Sequence, residues 1–123
     1  MKSPSVIRSF GHALRGIATA IRTERSFRYQ VVAAIVLFAF LTLLPLQAWE
    51  QAILVLVAAL VLVLELLNSS LERLTDLAKP RLHPYAGEIK DLMAGAVLVA
   101  AISAVIVALI ILGPHLLPYL IRV

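Results

Sequence analysis

Residues 51–76 read QAILVLVAALVLVLELLNSSLERLTD, and the architecture turns on them. From Gln51 to Leu64 no side chain is charged; the run then continues through Glu65, Asn68, Ser69 and Ser70 to Leu71 before Glu72, Arg73 and Asp76 appear. A helix that crosses a bilayer needs about 20 mostly apolar residues, which 51–71 supplies with polar interruptions. Working outward, residues 31–49 form a similar run broken by Pro45 and Gln47, and 92–114 is uncharged throughout. In lipid only helices and closed barrels satisfy every backbone polar group, and none of these runs alternates with a period of two. The expectation is a single all-α integral membrane domain over residues 1–123, with transmembrane helices at 31–49, 51–71 and 92–114.

Composition agrees. Of 123 residues, 62% are hydrophobic and 15% charged, and the mean hydropathy is +0.99. A soluble domain averages about 45–50% apolar and roughly 25% charged residues, and a chain this short could not hide the surplus in one core. Disordered chains are poor in Leu, Ile and Val, so disorder is excluded too. The absence of cysteine removes disulfides, thiol nucleophiles and Cys-ligated zinc. A formal charge of +4 suits nucleic acid or anionic lipid; the apolar content favours lipid, and no nucleic-acid partner is expected. The five glycines are scattered, which leaves no phosphate-cradling glycine loop. His12, His83 and His115 are too dispersed for a metal motif, and Ser69 has no nearby His or Lys to activate it.

Basic residues set the orientation. Lys2, Arg8, Arg15, Arg22, Arg25 and Arg28 precede the first span, and Arg73, Lys79, Arg81 and Lys90 lie between the second and third. The connection at 45–51 has no basic residue, and the C-terminal end has only Arg122. Basic loops remain in the cytoplasm, so the N-terminus and a loop over 72–91 are expected there. The first apolar run lacks a following small-residue cleavage site and reads as a span rather than a signal peptide. Residues 5–29 make a further helix. Val6, Phe10, Leu14, Ile17 and Ile21 recur at helical spacing, while Arg8, Arg15 and Arg22 form a separate basic stripe. That pattern suits a helix lying in the membrane interface, arginines near lipid phosphates. A topology anchor and a direct share in a site are both open to it.

At about 100° per residue, Glu65, Asn68, Ser69, Glu72 and Asp76 fall within an arc of roughly 100° on one helix face. A carboxylate inside a spanning helix costs at least about 2.5–3.5 kcal/mol on insertion scales, and such residues mark function by default. Interhelical polar contact would account for Asn68 and Ser69 but not readily for three acids in line. Glu65 lies about 10 Å along the axis from Glu72, so the stripe descends from water into lipid. A deep carboxylate can meet a lipid hydroxyl, and shallow ones a water-soluble partner carrying magnesium, which takes one or two carboxylates plus phosphate oxygens. Phosphoryl transfer needs such a metal, a base near the acceptor hydroxyl and cations around the phosphates. A rival reading is a small proton- or cation-coupled transporter using Glu65. It leaves the acids at one mouth without a purpose, and a non-catalytic membrane organiser leaves the whole stripe unexplained.

Glu65-x-x-Asn68-Ser69-x-x-Glu72-x-x-x-Asp76, followed by Lys90-Asp91 at the opening of a span, resembles the prokaryotic diacylglycerol kinase and undecaprenol kinase family, as does the upstream Gly16…Glu24-x-x-Phe27-Arg28. The likeness covers nearly the whole chain. It implies a three-span bacterial lipid kinase of the cytoplasmic (inner) membrane, transferring phosphate from ATP to a lipid alcohol with Mg2+ and working as a homotrimer with composite sites. Carried over, it implies that Glu65 readies the lipid hydroxyl and Asn68 orients the reacting groups. Glu24 and Glu72 would hold magnesium; Asp76, Lys90 and Asp91 would serve the nucleotide, with His83 near the adenine. Ala13 and Glu88 depart from the pattern, standing where some members carry serine and arginine. The stretches 79–84 and 113–115 look more like the undecaprenol kinase branch, so undecaprenol is expected ahead of diacylglycerol as acceptor. Ala96, Ala100, Ala104 and Ala108 form a small-residue face on which helices can approach closely.

Overall fold

The structure, a computed structural model, describes residues 5–78 and 83–122. Its element order is α1 (Val6–Thr23), α2 (Arg25–Leu43), α3 (Ala48–Ala78) and α4 (His83–Ile121). The last three are long and apolar enough to cross a membrane.

The helix expected over 5–29 is two helices. Ser5 opens α1, its Oγ accepting from the Arg8 amide at 3.4 Å, an ordinary serine cap. At Glu24 the backbone turns extended (φ −106°, ψ 110°), and α2 starts one residue later. Breaking a helix orphans its last carbonyls. Arg28 answers for two of them: its Nη1 donates to the carbonyl oxygens of Ile21 at 2.9 Å and Arg22 at 3.1 Å. The elbow is therefore built by a side chain that lies beyond it, while α1 keeps Val6, Ile7 and Phe10 exposed.

Extended backbone at Leu44, just before Pro45, ends α2, as expected of a residue preceding proline. At its far end α3 runs on through Ala78. Its 31 residues span about 46 Å, well beyond a hydrocarbon layer of about 30 Å. The loop expected over 72–91 is correspondingly corrected: 72–78 continue α3 and 83–91 open α4. Charged residues stop a helix from being buried in lipid without stopping it from being a helix. Likewise α4 passes the expected limit at Pro114 and continues to Ile121, with Pro114 and Pro118 inside it.

Among the described residues, α3 packs along both α2 and α4, and α1 touches α2 and α3. Leu54, which is fully buried, anchors the core with Leu46, Ile111 and Leu112; Leu37, Phe40 and Leu41 close over them. A groove of about 250 Å3 remains between α2 and α4 above α3, lined by small residues including Ala33, Ala58, Ala101, Ala104 and Ala108. Part of the alanine face of α4 is thus turned inward within one chain. Most other large apolar side chains, such as Leu56, Leu109 and Ile110, are exposed.

Candidate active site

The stretch of α3 from Glu65 to Asp76 is tied to each of its neighbours by a polar contact. Deepest is Glu65, only 3% exposed. Its Oε1 accepts a hydrogen bond from the Ser26 hydroxyl, and its Oε2 accepts from Gln30 Nε2 at 3.3 Å. Both donors lie on α2, one turn apart, where the elbow at Glu24 has brought the start of that helix against α3. A carboxylate so placed is shielded from water and held by donors from another helix.

One turn further on, the Oδ1 of Asn68 and the Oγ of Ser69 are buried without a hydrogen-bond partner, as is Oε1 of Gln30. Buried polar atoms are nearly always satisfied, and exceptions concentrate where a ligand or water belongs. Glu72 follows, half-buried. Asp76 is more open, its side chain 58% exposed, and it receives Lys90 Nζ from α4 at 2.6 Å. The stripe therefore runs from a closed interior to open surroundings.

Glu24 stands at the elbow, where its Oε1 meets Arg73 Nη2 at 3.1 Å. Asp91 is exposed on the first turns of α4. The backbone of His83 begins α4, and its side chain lies outside the described residues. The structure brings Lys90 to Asp76 and places Glu24 across from α3. The hydrogen bonds that fix Glu65 come from Ser26 and Gln30, two residues the sequence reading passed over, as it did the pairing of Arg73. The i, i+4 spacing of Ser26 and Gln30 at the head of an apolar run was the available signal.

Among the described residues no cluster of three or more acidic or histidine side chains could hold a metal by itself. Magnesium does not require one, since it takes one or two carboxylates together with phosphate oxygens and water. Glu24 and the half-buried Glu72 supply hard oxygen donors of the type such a cation takes.

Comparison with known proteins identifies the family. A family model described as prokaryotic diacylglycerol kinase matches residues 11–112. A diacylglycerol kinase of Synechocystis sp. is 41% identical over 94% of this chain and 66% of its own, longer length. An undecaprenol kinase of Bacillus subtilis is 39% identical over 89% of both chains, and a diacylglycerol kinase of Escherichia coli 32% over 89% of this chain and 90% of its own. With three membrane-length helices and a buried carboxylate tied across two of them, the chain belongs to the prokaryotic diacylglycerol kinase family and is an integral membrane lipid kinase.

Proposed function

We propose that the chain transfers the γ-phosphoryl group of ATP to the hydroxyl of undecaprenol, with diacylglycerol the second choice of acceptor, at the end of the bundle that carries Glu65, Glu72 and Asp76. The observation that carries the reading is the bond from the Ser26 hydroxyl to the buried Glu65 carboxylate. A site that already accepts one O–H donor in apolar surroundings can accept another from a lipid alcohol.

Glu65 takes the proton of the lipid hydroxyl as its oxygen bonds to the γ-phosphorus. The bond from that phosphorus to the bridging oxygen breaks, and ADP leaves with the bonding electron pair. Ser26 and Gln30 hold the Glu65 carboxylate, and Asn68 offers its unpartnered Oδ1 beside it. Glu24 and Glu72 would hold magnesium, which when bound spreads the charge on the phosphates. Lys90, paired with Asp76, supplies a cation for the nucleotide, Asp91 serves the nucleotide with them, and His83 is assigned to the adenine by family resemblance.

Undecaprenol is favoured by the stretches 79–84 and 113–115. The N-terminus and the segment 72–91 face the cytoplasm of a bacterial inner membrane, a reading supported by their basic residues. The functional unit is a homotrimer: one chain leaves most of its large apolar side chains exposed, and three slim helices enclose too little space for ATP and a lipid together. Incubating the purified protein with γ-labelled ATP, magnesium and either undecaprenol or diacylglycerol tests the proposal. Faster labelling of undecaprenol is the expected result; faster labelling of diacylglycerol reverses the choice of acceptor, and labelling of neither refutes the kinase site.

A further inference from the structure

Arg73 has no part in the mechanism above, yet it is the side chain that joins the elbow to α3. Its Nη2 donates to Thr23 Oγ1 at 2.8 Å and meets Glu24 Oε1 at 3.1 Å. About half of the arginine side chain is exposed (48%), against 23% for Glu24, so the guanidinium is open to a ligand on its outer side.

Arg73 also lines a cavity of about 530 Å3 between α1 and α3. Ala13, Gly16 and Ala20 form its small-residue wall on α1, and Ser69 lies opposite. A Cβ added at Gly16 would meet nothing within 4 Å, so the wall is open on the α1 side. Ser69 is 2% exposed, and its hydroxyl is buried without a partner. The cavity thus combines an unsatisfied donor, a guanidinium at its rim and apolar walls. A guanidinium presents its donors in a planar fork that matches phosphate oxygens.

We propose that Arg73 and Ser69 form a phosphate-recognition pair in this cavity, and that Glu24 masks Arg73 until a divalent cation takes the carboxylate. The ligand class is a phosphomonoester or terminal phosphoryl group, carried either by the nucleotide or by the lipid phosphate product. The masking half rests on the proposed role of Glu24. A divalent cation on the Glu24 carboxylate neutralises the charge that holds the guanidinium at Oε1 and repels it, so loading the cation releases the arginine toward the cavity. Arg73 is then a phosphate-binding residue, and its contact with Glu24 is the resting arrangement.

The test uses the full chain in detergent and three variants, Arg73→Gln, Arg73→Lys and Ser69→Ala. Binding is read by thermal stabilisation, with magnesium and a non-hydrolysable ATP analogue in one arm and a short-chain lipid phosphomonoester in the other. Arg73→Gln and Ser69→Ala should each weaken one and the same arm about tenfold, the scale of a lost charge-assisted hydrogen bond. The affected arm names the carrier of the phosphate. Arg73→Lys, which keeps the charge without the fork, should fall between, and it stands in if the glutamine variant fails to fold. Manganese binding without nucleotide, read by electron paramagnetic resonance, should tighten several-fold in Arg73→Gln because Glu24 is unmasked. Wild-type binding of both ligands by the variants overturns the pair, and unchanged manganese affinity overturns the mask. If the wild type itself binds no magnesium–nucleotide, the kinase site fails and the mask goes with it.

Discussion

Glu50 and Glu65 are both carboxylates on α3, roughly 22 Å apart along its axis, and their surroundings differ in kind. Glu50 lies in the first turn. Its Oε2 accepts from the Gln47 amide at 2.8 Å and its Oε1 faces His115 Nε2 at 3.3 Å. An acid there satisfies an orphan amide and complements the positive end of the helix dipole. Both of its oxygens are engaged in holding the helix start and the turn before it. Glu65 lies within the helix, where no backbone amide is left over. Its partners are side chains from α2, and the adjacent turn holds orphaned atoms of Asn68 and Ser69. The difference teaches that an acid on a membrane helix is not by itself a mark of chemistry. The mark is an acid whose polar neighbourhood is left incomplete by the protein's own atoms.

The sharpest way to break that contrast is to remove the charge at Glu65 while keeping its shape. Glu65→Gln should lower turnover by about 10²–10⁴-fold, the range a positioned base supplies, with thermal stability and assembly close to wild type. Turnover within a factor of two of wild type would take Glu65 out of the reaction. Glu72→Gln should raise the magnesium needed for half-maximal activity by about tenfold or more, as losses around metal ligands typically do. A titration that superimposes on wild type would leave Glu72 without its metal. Ser26→Ala removes one of the two donors that hold Glu65 and should reduce kcat several-fold, leaving the KM for ATP unchanged. A change confined to KM would place Ser26 on the nucleotide instead.

These three substitutions also divide what the sequence discloses from what it hides. Glu65 and Glu72 are legible because helical periodicity is a local property: once an apolar run demands a helix, every polar residue on it has a known angular position. The three spans are legible for the same reason. Ser26, Gln30 and Arg73 are hidden because their partners are 35 to 50 residues away and depend on the elbow. The elbow is itself hidden, since its support comes from Arg28 folding back onto α1. Hydropathy also stops short at 72–78 and 83–91, where charge marks the limit of the lipid and not the limit of the helix.

The smallest effect is expected at the other end, and it tests whether the contrast is real. Glu50→Gln keeps an acceptor for the Gln47 amide but loses the charge that favours the helix N-terminus and the contact with His115. Pro45, Pro114 and Pro118 gather around its partner His115 and already restrict the backbone there. The variant should melt a few degrees below wild type, in keeping with one modified cap in a domain of this size, and should phosphorylate lipid at the wild-type rate. Thermal unfolding and turnover measured on the same preparation decide the matter. If Glu50→Gln lost turnover as Glu65→Gln does, a carboxylate in finished surroundings would be as important to the chemistry as one beside orphaned atoms. Unfinished hydrogen bonding would then no longer distinguish the working end of α3 from its anchored end.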